Sequence, residues 1–258
     1  MPLHDKTILV TGSTMGIGKA ITQRVHAEGA NVLIHGLEEE LAQSLADSLN
    51  NERTAIHIDD LSDPAAPQRL IDASLAAFGS LDHLVNNAAI VAFNQFEYSD
   101  LAFYDRILAV NARAPFFLIQ AALPHLEKSR GSVLNIGSVN AHCGEPELVP
   151  YAMSKGALMT LTRNLGDSLH REHGVRVNQI NPGWVLTEGE YRRKVDGGLA
   201  EDWPETTGKE FAASGRLLKP KEIAEAALYF LSDECGPVSG SVIDLEQHPV
   251  IGRLSAKG

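Results

Sequence analysis

A chain of 258 residues with 44% hydrophobic and 21% charged side chains can bury a sizeable core, as one large α/β unit or two small ones. Its formal net charge of -11, with no Lys/Arg block to offset it, argues against nucleic acid or an anionic membrane surface as partner and for a small neutral or modestly anionic molecule. The two cysteines, Cys143 and Cys235, lack CxxC spacing, which argues against a disulfide framework and for a reducing compartment. The opening MPLHDKTILV has neither a basic leader nor an apolar stretch of signal length, so a cytoplasmic protein is expected. No stretch reads as the roughly 20 apolar residues that a membrane span needs.

In chain order, short apolar runs at 7–10, 31–35, 54–58, 83–85, 132–136, 175–180 and 241–245 read as buried strands. Amphipathic stretches at 17–28, 38–49, 64–78, 114–127, 151–173 and 220–231 read as helices, several bounded by signals such as Gly29, Gly79, Gly174 and Pro220. Alternating β and α segments, with strands too apolar for one wet face, predict a doubly wound parallel sheet of about seven strands in one dinucleotide-binding and catalytic domain over residues 1–258. The stretch 187–215, polar and rich in glycine, lies outside this rhythm and reads as a long functional loop over the substrate.

TGSTMGIG, from Thr11 to Gly18, follows the first strand and opens the first helix, the context of a phosphate-binding turn. Gly12 permits the tight turn, Gly16 lets backbone approach a pyrophosphate, and Gly18 lets helix pack on sheet, with Thr14, Met15 and Ile17 completing the turn. The second strand ends in HGLEEE. Neither Gly36, Leu37 and the glutamates nor Thr14 and Met15 offer a cation to a 2′-phosphate, which favours NAD over NADP. Glu38 is the candidate acceptor for the ribose hydroxyls, unless these glutamates are simply a solvated first helical turn. Asp60 and Leu61 after the third strand, and Asn87, Ala88 and Ala89 after the fourth, fall at the carboxyl edge, where the adenosine would lie.

Tyr151 and Lys155, four apart on a helix, share a face. An ammonium beside a phenol favours the phenolate, so the tyrosine pKa is expected to move down toward the working range. Ser138 ends an apolar strand at the carboxyl edge, placed to hold a substrate carbonyl oxygen beside that phenol. No histidine lies in a pattern with acidic neighbours that would mark a metal site.

Together these motifs resemble the classical short-chain dehydrogenase/reductase family over nearly the whole chain: TGSTMGIG, NNAA at 86–89, Asn111 in NARAPF, Ser138, YAMSK, and NPG at 181–183 with Thr187. The resemblance implies a Rossmann-like sheet of order 3-2-1-4-5-6-7 and a homotetramer or homodimer. It also implies a tetrad in which Tyr151 is the general acid/base, Ser138 orients the substrate oxygen, Lys155 binds the nicotinamide ribose and lowers the tyrosine pKa, and Asn111 positions a relay water. Pro182, Gly183, Val185 and Thr187 would flank the nicotinamide. The chain departs from the family pattern in three places: Ala89 replaces the usual glycine, Gly36 the aspartate common in NAD-using members, and SVIDLEQHPVIG the usual valine-aspartate-glycine-glycine ending.

Residues 187–215 hold Glu188, Glu190, Tyr191, Arg192, Arg193, Lys194, Trp203 and Lys209, suited to a sugar, polyol or hydroxy acid rather than a hydrocarbon. Alternatively, 192–194 is a solvated helix face. Asn140, His142, Glu145 and Glu147 add polar groups ahead of Tyr151, His142 as a substrate contact or an exposed loop residue, whereas Cys143 is given no nucleophilic role. The leading function is NAD(P)-dependent interconversion of a secondary alcohol and a ketone on a small polar substrate. The alternatives are a 3-oxoacyl-thioester reductase, with Arg130, Arg163 and Arg171 as landing patch, and a non-enzymatic dinucleotide sensor or scaffold.

Overall fold

In a computed structural model, which describes residues 2–49, 51–142, 144–207, 212 and 214–245, seven strands hydrogen-bond in parallel into one sheet. They are β1 (Thr7–Val10), β2 (Asn31–Gly36), β3 (Thr54–Ile58), β4 (His83–Asn86), β5 (Ser132–Ile136), β6 (Arg176–Pro182) and β7 (Val242–Leu245). Their order, β3-β2-β1-β4-β5-β6-β7, is the expected one. The order in which strands are added reverses between β1 and β4, which puts a crevice at their carboxyl ends.

Side chains alternate across each strand, so every strand feeds two cores. Ile8, Val10, Val32, Val85, Leu134 and Ile180 face α1 (Gly16–Ala27) and α9 (Pro220–Leu231). Leu9, Leu33, Leu84, Val133 and Val177 face α3 (Ala66–Phe78), α5 (Ala114–Ser129) and α6 (Val149–His173). Ile34 meets Ala42 and Leu45 of α2 (Glu39–Ser48).

Three elements differ from expectation. A helix over Leu101–Leu108 (α4), capped by the Asp100 side chain on the Phe103 amide at 2.8 Å, runs through a π-helical turn at Ala109–Arg113 into α5. The composite, Leu101–Ser129, is long and apolar enough to cross a membrane, contrary to the reading that no stretch approaches that length. Half of its most apolar window is buried inside the protein, because one flank packs on α3 and α6. The second difference is that 187–215 is not one loop: α7 (Glu188–Asp196) and the short α8 (Trp203–Thr206) lie within it, the first capped by Thr187 Oγ1 on the Glu190 amide at 3.1 Å. Finally, α6 begins at Val149 rather than Tyr151, with Pro150 in its first turn, so Tyr151 is inside a helix and not at its tip.

Candidate functional site

At the carboxyl end of β1 the glycine turn is locked to the loop after β4. Asn87 Nδ2 donates to the Thr11 and Gly12 carbonyls at 2.9 and 3.0 Å, while Thr11 Oγ1 accepts the Asn87 and Ala88 amides at 3.0 and 3.1 Å. Gly12 sits at φ +61°, and a Cβ there would come within 2.9 Å of Ala88 Cα. A Cβ on Gly18 would overlap the Gly12 carbonyl oxygen. Gly16, at φ +55°, faces the Thr187 methyl at 3.3 Å from where its Cβ would be. Met15 caps α1 in extended conformation with no side-chain hydrogen bond, so the first-turn amides are left to an anion. These features fit a dinucleotide pyrophosphate, and Ile17 is half-buried in that first turn.

His35 holds this turn from behind, and the sequence reading passed over it. Its Nδ1 accepts the Gly12 N–H at 3.0 Å and its Nε2–H donates to the Asp59 carbonyl at 3.1 Å, an arrangement open only to a neutral ring. Burial pushes its pKa down to about 4. The signal available was a polar residue at the carboxyl end of a strand whose preceding residues, Val32 to Ile34, are apolar. Next to it, Gly36 leaves room for Thr14: a Cβ would come within 2.6 Å of Thr14 Cγ2, so a larger residue needs that side chain to shift. Leu37 is 63% exposed and Glu38, also exposed, makes no capping bond at the head of α2. Asp60 spends one carboxylate oxygen on the Ser62 amide at 2.8 Å, and Leu61 is buried in the core. The guanidinium of Arg69 nearby is already paired with Asp59 and Asp63. Ala88 is half-buried beneath the turn and Ala89 is exposed.

The second group of predicted residues meets at the end of β5. Ser138, extended at φ -166°, donates its N–H to Asn181 Oδ1 at 3.1 Å and accepts the Asn140 amide on Oγ at 3.1 Å. Its hydroxyl lies near enough to the phenol of Tyr151 to lower that group's pKa. Lys155 Nζ lies 5.7 Å from the centre of the Tyr151 ring and donates to the Ile136 carbonyl at 2.8 Å. Both side chains are buried. Burial raises the Tyr151 pKa against the smaller lowering effect of Ser138, and burial alone pushes Lys155 down to about 8. In the protein by itself the phenol's pKa therefore moves up and not down as expected, because desolvation of the phenolate is the dominant influence on it.

Asn111 sits in the π-helical turn, buried, with its amide fully engaged. Nδ2 donates to Ile90 O at 3.0 Å and to Ser154 Oγ at 3.1 Å, while Oδ1 accepts the Ile90 amide at 2.8 Å. It thus ties the loop after β4 to the helix that carries Tyr151 and Lys155.

The two groups are joined by the segment after β6. Pro182 ends that strand, the Gly183 amide donates to Leu245 O at 3.0 Å, and Val185 pairs with Leu218. Thr187 then reaches Gly16. The residues that follow were expected to be a polar lining, but they have an apolar underside. Trp203 is only 4% exposed, stacks on Trp184 at 5.4 Å and lies 6.5 Å from Tyr191. Its indole N–H meets no acceptor among the described residues. Arg192 pairs with Glu188 in solvent, as a solvated helix face would. Arg193, besides its ion pair with Glu190 at 2.8 Å, lies 4.4 Å over the Phe93 ring, from the loop after β4, and Lys194 lies 5.0 Å over Trp184. His142 neither floats free nor stands alone: it pairs with Asp244 at 3.1 Å. Two open hollows elsewhere, about 400 Å³ beside Arg163, Arg171 and Gly240 and about 590 Å³ over Glu39, Glu40 and Gln43, touch none of the catalytic or dinucleotide candidates, though Arg163 and Arg171 of the suggested landing patch line the first. Cys143, Lys209 and the chain from 246 onward lie outside the described residues.

Comparison with known proteins gives a consistent pattern. A family model described as enoyl-(acyl carrier protein) reductase matches residues 12–246. The chain is 33% identical to 2-(S)-hydroxypropyl-CoM dehydrogenase 3 of Xanthobacter autotrophicus, over 95% of this chain and 96% of that protein. It is 33% identical to glucose 1-dehydrogenase 2 of Bacillus subtilis, over 93% of each, and 30% identical to meso-2,3-butanediol dehydrogenase of Serratia marcescens, over 95% of each. Among solved structures, a mutant short-chain dehydrogenase/reductase from Serratia marcescens superposes with a TM-score of 0.84 at 32% identity, covering 95% of this chain and 98% of that one.

Proposed function

The chain belongs to the classical short-chain dehydrogenase/reductase family and is an NAD(P)-dependent oxidoreductase acting on CH–OH groups; from that premise we propose that it interconverts a secondary alcohol and a ketone on a small polar substrate, a sugar, polyol or hydroxy acid, with Tyr151 as general acid/base. What carries this reading is the burial of Tyr151 together with Lys155, its ammonium 5.7 Å from the ring centre, with the Ser138 hydroxyl near enough to lower the phenol's pKa. The dinucleotide, when bound, takes up or supplies the hydride. Gly12, Thr14, Met15, Gly16, Ile17 and Gly18 would cradle its pyrophosphate, with Gly36, Leu37 and Glu38 at the adenosine ribose. Asp60, Leu61, Asn87, Ala88 and Ala89 would border the adenosine, and Pro182, Gly183, Val185 and Thr187 the nicotinamide. Ser138 holds the substrate oxygen against the phenol. A phenol whose pKa is raised by burial keeps its proton at neutral pH, which suits donation to a carbonyl; accepting a proton from an alcohol is favoured by higher pH. Asn111 keeps the walls of the site in register.

NAD is the proposed partner, because the end of β2 carries no cation and Arg69 is already neutralised by two carboxylates. Residues 187–215 act as the substrate lid, with Arg193 and Lys194 as its polar edge. Exposed Leu101, Tyr104, Phe116, Phe117 and Met153 on α4, α5 and α6 support a homodimer or homotetramer paired through those helices.

Replacing Tyr151 by Phe is expected to cut turnover by at least about 10²–10⁴-fold with dinucleotide binding retained. Comparable turnover in that variant refutes the assignment. The substrate class is read from reduced-cofactor absorbance against sugars, polyols, hydroxy acids and acyl thioesters. A titration in which NADP binds tenfold tighter than NAD, about 1.4 kcal/mol, overturns the cofactor preference. The description of the matching family model favours a second reading, acyl-thioester reduction. Against it, Arg163 and Arg171, from the suggested landing patch, are 12 and 20 residues further along α6 than Tyr151. At 1.5 Å per residue that is about 18 and 30 Å, toward the opposite end of the sheet.

A further inference from the structure

Beneath the site, polar side chains run across an otherwise apolar sheet. Asn86 Nδ2 donates to Asn135 Oδ1, Asn135 Nδ2 to Thr162 Oγ1, and Gln179 Nε2 to Asn181 Oδ1, at 2.8, 2.8 and 2.7 Å. Asn181 Nδ2 then donates to Asp244 Oδ1 at 2.8 Å, across the β6–β7 register that pairs these two residues. Asp244 also receives His142 Nε2 on both oxygens, at 3.1 and 3.2 Å. Because His142 closes the short turn that starts at Ser138, and Ser138 donates its own N–H to Asn181 Oδ1, the contacts form a ring: Ser138, Asn181, Asp244, His142 and back along the chain. Gly137 leaves the room this needs, since a Cβ there would overlap Asn181 Oδ1.

The orientation of the Asn181 amide is forced from both ends. Its oxygen must face two donors, Ser138 N–H and Gln179 Nε2, and its NH₂ must face a carboxylate, which when ionised can only accept. A flipped amide would set donor against donor at Ser138 and acceptor against acceptor at Asp244. Asp244 therefore fixes the group that fixes the backbone of Ser138. Asp244 lies at the start of the SVIDLEQHPVIG ending.

We propose that Asp244, with His142, is a positioning residue for Ser138: the ring that it closes through Asn181 sets the Ser138 hydroxyl against the substrate oxygen and the Tyr151 phenol. The proposal rests on the reading of Ser138 given above. The decisive measurement, which needs no substrate, is hydrogen exchange by mass spectrometry on the full chain. Asp244→Ala is expected to raise exchange of the peptide spanning Ser138 at least about fivefold, leaving peptides from α1 unchanged, and Asp244→Asn, which keeps one acceptor oxygen, restores most of the protection. Unchanged exchange at Ser138, or equal loosening throughout the chain, overturns the proposal. Turnover on the alcohol found in the substrate panel adds a double-mutant cycle. Asp244→Ala lowers kcat about tenfold with the Kd for NAD unchanged, and in a Ser138→Ala background it costs no more. Losses that multiply overturn the coupling to Ser138. A Ser138→Ala variant with full turnover instead refutes the functional reading while the exchange result stands by itself.

Discussion

The glycine turn and the segment after β6 border the same crevice, yet they are held there by different forces. The turn is built from backbone: Gly12 and Gly18 are places with no room for an added carbon, and the clasp from Asn87, Thr11 and His35 is made to main-chain atoms. The segment is built from side chains, with Trp203 between Trp184 and Tyr191 and with Arg193 across Phe93. A turn held by exclusion tolerates almost no change where it approaches itself. A segment held by separate ring contacts can change one residue at a time, each worth about 1 kcal/mol, so it is the part free to vary with substrate.

The contrast is broken most directly at Gly18. Gly18→Val would drive its Cβ into the Gly12 carbonyl and the Asn87 amide, so NAD binding should be lost and stability should fall by roughly 3 kcal/mol or more. Wild-type melting and affinity in that variant would remove the steric argument for the turn. Lys155, between the two regions, carries a buried ammonium that donates to the Ile136 carbonyl, and its pKa is about 8 against an ordinary 10.5. The unfolded chain holds that proton more tightly, so folding is penalised below pH 8 and the penalty is released as pH rises from 8 to 10.5. Lys155→Met should therefore lose turnover yet gain up to roughly 3 kcal/mol at pH 7, less whatever the lost carbonyl bond contributes, and the gain should shrink across that window. Denaturant titrations at pH 7 and pH 10 check this, and a variant less stable at pH 7 would contradict it. The smallest effect belongs to the segment. Arg193→Ala should cost about 0.5–1 kcal/mol and shift KM for the alcohol more than kcat, measured by steady-state kinetics beside a thermal melt. A collapse of stability there would erase the distinction between the regions.

The strands were legible because each is a short apolar run, their order only through the family resemblance, and the Tyr151–Lys155 pair because spacing of four sets a shared helix face. What escaped depends on contacts between distant residues. Tyr151 reads as a phenol beside a cation, but only the fold reveals that both are desolvated, which decides the direction of its pKa. Asp244 is 63 residues from Asn181, so no local pattern marks it. Trp203 was taken as pocket lining because an aromatic in a polar stretch gives no hint of the cluster that buries it. The helix α7 did announce itself through Thr187 and Glu190, the start of a capping pattern, but the surrounding glycines, Gly189 and Gly197, obscured it. Leu101–Leu108 was missed because Leu101 and Tyr104 face outward, which blurs the periodicity of a helix with one apolar side inward.

The wide turn at Ala109–Arg113 holds, in effect, one amino acid more than a regular helix would place there. Excising a single residue from it would give a straighter, more uniform rod whose two flanks keep their facing, but without the widened turn that carries Asn111. Asn111 would then leave Ile90 and Ser154. Length in this stretch is thus under tighter constraint than composition: most exchanges of one side chain for another should be absorbed, whereas a one-codon indel should not.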